Sequence, residues 1–428
     1  MKLRILLLGI SALLLSCGEE TVPKVTNPAD YNNYLLNAEK PGQKEALNEV
    51  RFWSQRLRPD SSGVGDLGPL AAAYTALFDA TGNSENLYSG EKLYKKAMAI
   101  SANHPDIYAR ALARNYISQH RFREAAKILT ETYNDPNSEK RPTELMLFDV
   151  FMELGRFEEA EEVLKKVQNT SDYNYLIRKA KWSDYVGDLD EAINYMEDAK
   201  AIAESRDSKG LKIWTYSNLG DYYGHAGRID DAYEHYLKTL ALEPDNAYVL
   251  KGIAWIAYSH KKNVPEARRI ITELMKNHSI PDYYLLLAEL AEYEDDSVEA
   301  EAQIEMFLEA VEKGNFGAMY NAYHIEILAD RNPEEAIRLA EKEVQNRATP
   351  ETYHLLALAN LKAGNPETAL DIIEAEVEGK TYEPMAQYHS ALVYKANGLD
   401  DRLKTVKEEL SEAAFELGPV LAAKIEEL

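Results

Sequence analysis

Cys17 is the only cysteine in 428 residues. An internal disulfide and any thiolate metal site are thereby excluded. None of the nine histidines stands three to five residues from another, so no helix presents a histidine pair to a metal. Neither Gly-x-Ser-x-Gly nor His-Glu-x-x-His occurs, and no cysteine–histidine couple is available in the body of the chain. Carboxylates number 72, too many for any one pair to stand out as a general acid and base. Cations are short by comparison, 48 against 72, giving a formal charge of −24. A body that acidic repels phosphate backbones and anionic headgroups, so nucleic acid is not an expected partner. No metal, no cofactor and no enzymatic activity are expected. Gly63-Val64-Gly65-Asp66-Leu67-Gly68 matches the dinucleotide spacing literally, but that site needs a preceding strand. Trp53–Arg58 is charged and helical in pattern, so a turn leading into a helix is expected instead.

Long apolar runs are also missing, apart from one near the start. Lys2 and Arg4 precede an apolar stretch, Ile5–Leu15, broken only by Gly9 and Ser11. Eleven helical residues cover about half of a ~30 Å hydrocarbon core, so 1–16 reads as a signal peptide rather than a span. The stretch ends Leu14-Leu15-Ser16-Cys17, which resembles the lipobox of bacterial lipoproteins. The resemblance implies cleavage before Cys17 and acylation of its thiol and amine. At ~0.8 kcal/mol per buried methylene, two or three acyl chains hold a protein on a bilayer nearly irreversibly. A cell-envelope protein is therefore expected, on the outer membrane, with its face left open. Gly18-Glu19-Glu20 is similar to the surface-export tag of some Bacteroidota lipoproteins, though it reads equally as the solvated start of a tether. Pro23, Pro28, Pro41 and Gly42 mark 17–42 as a tether with a short helix around Ala29–Ala38, followed by an N-terminal helix within 43–62.

Beyond that the chain repeats. An acid followed by alanine recurs as Glu124-Ala125, Glu159-Ala160, Glu191-Ala192, Asp231-Ala232, Glu266-Ala267, Glu299-Ala300 and Glu335-Ala336, with Ala369 keeping the register behind Thr368. The alanines are 35, 32, 40, 35, 33, 36 and 33 residues apart. Gly155, Gly187, Gly227, Asn332-Pro333 and Gly364-Asn365-Pro366 stand just ahead of the mark, where one helix ends and the next begins. Tyr216-x2-Leu219-Gly220-x2-Tyr223, then Ala232, Tyr236 and Pro244, resembles the tetratricopeptide repeat term for term except at Thr239. Tyr353-x2-Leu356-Ala357 with Gly364 and Ala369 is a second match. The resemblance implies an all-α fold: an α-solenoid of antiparallel helix pairs wound into a right-handed superhelix. Residues 63–410 would hold eight clear and two degenerate pairs, and 411–428 a capping helix interrupted at Gly418-Pro419.

Such solenoids bind other proteins or peptides on a concave groove lined by the first helices. Carried onto this chain, the groove residues are Arg110, Arg114, Arg178, Lys181, Trp214, Ser217, Asp221, Lys251, Trp255 and Tyr258, followed by Glu289, Glu292 and Tyr293. The first half is basic and aromatic, which suits an extended acidic or C-terminal peptide. The competing reading is that these arginines pair with acids of neighbouring helices and the tryptophans are core. The family's clamp for chaperone tails lacks its lysine and asparagine at the matching places. The expected function is a lipid-anchored scaffold for partner proteins in the bacterial envelope. The alternative is a SusD-like lipoprotein that captures ligands beside a nutrient transporter, although the repeats leave no room for the long insertions such proteins devote to their glycan.

Overall fold

The computed structural model describes residues 25–57 and 63–428. The expected signal peptide, Cys17 and residues 58–62 lie outside the described residues. Among those described there is no strand. Ten helix pairs follow one another: Val64–Thr81 with Glu85–Ile100, Pro105–Ser118 with Phe122–Asn134, Lys140–Glu153 with Phe157–Lys166, Tyr173–Tyr185 with Leu189–Ser205, and Lys209–His225 with Ile229–Leu242. The second five are Ala247–Trp255 (continued as a π-turn over Ile256–His260) with Val264–Leu274, Asp282–Tyr293 with Ser297–Lys313, Asn321–Arg331 with Pro333–Asn346, Pro350–Lys362 with Pro366–Glu376, and Pro384–Ala396 with Asp400–Glu412.

The acid–alanine mark, with Thr368-Ala369 in the same register, sits at the third and fourth positions of eight of these ten second helices, and both residues have a structural task. Seven of the eight alanines are 0–1% exposed, Ala300 being the exception, because the second helix lies against the first at this point. The acid completes the helix start in one of two ways. At four pairs its N–H is capped by a side-chain oxygen: Asp188 on Glu191 (2.9 Å), Asn263 on Glu266 (3.2 Å), Asp296 on Glu299 (3.0 Å) and Asn332 on Glu335 (3.4 Å). At three others the cap is an arginine that turns onto the acid: Arg121 to Glu124, Arg156 to Glu159 and Arg228 to Asp231. Each of these arginines also covers an aromatic ring five residues earlier, Tyr116, Phe151 or Tyr223, at 4.2–4.4 Å.

The turn inside a pair needs a left-handed residue. Where the sequence offers no glycine, His120, Lys262 and Asp295 adopt φ of 55°, 54° and 59°. Such a conformation costs a residue with a Cβ about 1–2 kcal/mol. Asp295 is exposed, so Asp295→Gly is expected to raise stability by about 1 kcal/mol, read as a higher urea midpoint at unchanged slope.

The superhelix is wound tightly enough for successive turns to touch. Ser279 donates its N–H to the Thr81 carbonyl (2.9 Å) and its hydroxyl to the same oxygen, 198 residues away. Ser84 bonds the Gly314 carbonyl, Arg123 bonds the carbonyls of Gln345 and Asn346, and Arg347 pairs with Glu153 at 3.2 Å, a separation of 194 residues. Further along, Gly187 lies under the Tyr382 ring and His225 stands 3.5 Å from Glu416. The concave wall is thus closed into a lumen rather than left as an open groove.

Both ends of the chain depart from expectation. From Val25 onward the segment expected to be tether is docked. Pro28–Leu35 is a helix, Tyr31 and Leu35 are fully buried, the Tyr31 hydroxyl bonds Glu266 (2.6 Å), and the Asn27 N–H bonds the Tyr233 hydroxyl (3.1 Å). Two aromatic-rich turns with apolar residues spaced for one face found a partner surface on helices 229–242 and 264–274. At the other end the helix Ala414–Glu426, kinked at Gly418, folds back into the inner wall as well as covering the last pair. The Phe415 carbonyl accepts from Trp255 Nε1 (3.0 Å) and Ser259 (2.6 Å), and Lys424 pairs with Glu292 (2.7 Å).

Candidate functional site: the inner wall

The inner wall is built from first helices, because the second helix of each pair lies behind. Two joined cavities of about 710 and 430 Å³ run along it, sharing His225, Glu383, Pro384 and Glu416. Their walls come from helices 173–185, 209–225 and 247–255 on one superhelical turn and 384–396 and 414–426 on the next.

The expected basic character of this wall is not found, and the reason is local pairing. Arg110 is held by Asp106 at 2.7 Å. Arg178, 8% exposed, spends its guanidinium on the Leu145 carbonyl (2.6 Å), the Asn174 carbonyl (2.8 Å) and Asp149 (2.5 Å). Lys181 pairs with Glu153 (2.8 Å) and Lys251 with Asp282 (3.1 Å). Each partner sits on an adjacent first helix or one turn away on the same helix, so these cations staple the solenoid together. Only Arg114 among the predicted cations is exposed without an ion pair among the described residues. Trp214 is 41% exposed, edge-on to Tyr173. Trp255 is occupied by the C-terminal helix, and Tyr258 is fully buried with its hydroxyl on Glu289 at 3.0 Å. Asp221 accepts from Tyr236 (2.7 Å) and Tyr248 (2.6 Å). An acidic peptide therefore meets little free positive charge here.

The groups of the lumen left without a lysine or arginine ion pair among the described residues are instead carboxyls. Asp184, Glu383 and Glu416 face one another across it. Burial, followed by the neighbouring Glu416, pushes Glu383 up to about 7, and burial also raises Glu416 and Asp184. Glu289, enclosed by the C-terminal helix, is pushed to about 7 by burial as well. Sequence reasoning missed this cluster because its members come from segments about 200 residues apart, and only the winding of the superhelix joins them. The Gly63–Gly68 stretch is not the turn expected ahead of a helix begun by Pro69: the helix starts at Val64, Gly65 and Gly68 lie inside it, and a Cβ on Gly68 would stand 2.7 Å from the Tyr108 ring. No group of three or more metal-ligating side chains occurs among the described residues, and none of their helices is long and apolar enough to cross a membrane.

Stacked antiparallel helix pairs around a common inner wall define an α-solenoid. Tetratricopeptide repeat profiles match residues 185–245 and 217–275, and the chain is a tetratricopeptide repeat protein. No curated protein matches the sequence. Several solved structures are similar to the chain at low identity. A tetratricopeptide repeat protein from Parabacteroides merdae is 18% identical over 60% of this chain and 96% of its own, with a TM-score of 0.34. Yeast Tom70 is 14% identical over 92% and 96%, with a TM-score of 0.34. Human IFIT1, solved as a dimer with PPP-AAAA, is 12% identical over 80% and 81%, with a TM-score of 0.46. Tetratricopeptide repeats generally serve protein interaction, and the chain has the build of such a scaffold.

Proposed function

We propose that the chain is a lipid-anchored scaffold of the bacterial cell envelope, held to its membrane through Cys17, that binds partner proteins through the solenoid surface and catalyses no reaction. The observation that carries the choice of partner is the inner wall's charge: its cations are largely consumed internally, while Asp184, Glu383 and Glu416 have no lysine or arginine ion pair among the described residues. Glu416 has His225 3.5 Å away, and a basic group beside these carboxyls favours their charged forms. A basic partner segment gains from that field, and an acidic one is repelled. The anchor raises the effective concentration of partners already at the same membrane, so modest contacts suffice. The Lys2–Cys17 pattern supports the anchor. Lipid attachment is checked by growing cells on radiolabelled palmitate: label is expected in the chain and absent from Cys17→Ala, which should also leave the membrane fraction. Palmitate label surviving in Cys17→Ala overturns the anchor. Partner binding is checked by in-cell cross-linking of the anchored chain; a pattern with no specific cross-linked protein counts against the scaffold.

A further inference from the structure

The helix Pro41–Arg56 belongs to no repeat, yet it is pinned to the second superhelical turn. The Asp245 carboxylate accepts from the N–H groups of Gly42 (2.9 Å) and Gln43 (3.0 Å), closing the helix start. Between this helix, the first helix of the first pair and segment 243–283 lies an open cleft of about 840 Å³. Its floor is one face of helix Val64–Thr81, with Ala72, Ala76 and Ala80 four residues apart and the first two exposed. Trp53, Ile280 and Tyr283 form its apolar sides. From Pro69 to Gly82 the floor runs about 20 Å, three to four helical turns.

The rim has charge of one sign. Glu45 and Asp79 have no side-chain hydrogen bond or ion pair among the described residues, and Glu243 holds only the Asn246 amide at 2.5 Å. The lysine in the cleft, Lys251, is taken by Asp282. Asp79 is pushed up to about 6, chiefly by loss of solvent around its carboxyl and then by Glu243 beside it, and a cation placed there favours its charged form. The chain also shows what its wall accepts. One stretch along, past the shared Tyr248 and Lys251, the same wall holds the helix Ala414–Glu426, with Lys424 on Glu292.

We propose that this cleft is a docking site for a partner's amphipathic helix, apolar on the face that meets the alanine floor and basic on the sides that meet Glu45, Asp79 and Glu243. The small floor residues let a helix backbone approach closely, while the carboxylates select lysine or arginine flanks and reject acidic ones. The assignment rests on the scaffold reading above and adds the place and the chemistry of the partner.

The probe is a fluorescent 14-residue helical peptide with leucines along one face and lysines elsewhere, beside a twin with glutamates for the lysines. Binding is measured by anisotropy to the full chain in phosphatidylcholine nanodiscs, with empty discs as the blank. The lysine peptide is expected to bind one to one and the glutamate twin not at all. Ala76→Trp, which fills the floor, and Asp79→Asn with Glu243→Gln, which removes rim charge, should each weaken binding at least tenfold. Glu131→Gln with Glu162→Gln, exposed on second helices, should leave it unchanged. Ala72→Trp serves as the second floor variant, and melting temperatures confirm that both tryptophan variants fold. Equal binding to the floor variants, equal loss from the outer-helix control, binding of the glutamate twin, or no binding of the lysine peptide each overturns the cleft. The scaffold reading fails separately, on the in-cell cross-link; a cross-linked partner that survives Ala76→Trp overturns the cleft alone.

Discussion

Gly155→Ala should destabilise the protein by about 3 kcal/mol or more and loosen the contact between superhelical turns, while Gly227→Ala should cost only about 1–2 kcal/mol. Both glycines close the first helix of a pair in the left-handed region, with φ of 72° and 69°. They differ in surroundings. A Cβ on Gly227 meets nothing within 4 Å, so only the backbone term applies. A Cβ on Gly155 would stand 2.1 Å from the Ala348 carbonyl oxygen, and a backbone oxygen cannot swing aside as a side-chain tip can. Relief requires the two turns to separate. The Arg347–Glu153 pair at 3.2 Å and the Arg123 bonds to the next turn lie close by and would be lost with the contact. Urea unfolding measures the stabilities, and small-angle scattering should show a larger radius of gyration for Gly155→Ala alone. Equal losses for the two variants would mean that the turns do not rest on each other at this point.

Stability should rise as the pH falls from 8 to about 6 and fall again in stronger acid. Glu289 and Glu326 are pushed by burial from an ordinary 4.5 to about 7, and Glu383 reaches about 7 by burial and its neighbour Glu416. A folded-state value above the unfolded one means that the folded protein binds the proton more tightly. The benefit is fully present below about 4.5 and lost as pH rises through 7. Between pH 8 and 6, Glu289 and Glu326 should each add about 1 kcal/mol. Glu383 opens to solvent, so its share is discounted for screening.

The histidines work in the opposite direction. Burial holds His278 down to about 4 and His389 to about 3, the latter sharing a 2.8 Å hydrogen bond between its Nδ1 and that of buried His354. These groups favour the fold above 6.5, and that contribution is lost as pH falls toward 4 and 3. Glu159 and Glu266, lowered chiefly by hydrogen bonds from Arg156 and Arg269, add to the loss in acid. The melting temperature is therefore expected to peak near pH 6. The double change Glu289→Gln with Glu326→Gln should flatten the alkaline side by a few degrees. A melting temperature that climbs steadily from pH 6 to 8 would refute the account.

The repeat was legible because its cause is local. An acid at the third helical position completes a helix start, and an alanine at the fourth lets two helices approach, so each unit writes the same two letters every 32 to 40 residues. The arginine-over-aromatic variant of that start was not read from the sequence, because an aromatic residue five positions before an arginine has no meaning until the geometry stacks them. For the groove cations the competing reading, pairing with acids of neighbouring helices, describes the structure at Arg178, Lys181 and Lys251. Asp149 and Glu153 stand one first helix away from Arg178 and Lys181 and hold both cations.

Sequence alone determined the all-α class, the pairing of helices and their register, since these depend on contacts between residues within one or two repeats. Only the tertiary structure decided that the concave wall closes on itself, that both chain ends fold back onto it, and that the groups its lumen leaves without a lysine or arginine ion pair among the described residues are carboxyls. Those outcomes depend on a small rotation added at every repeat. After about 195 residues the accumulated rotation carries Thr81 to Ser279 and Glu153 to Arg347, and no single unit records the sum.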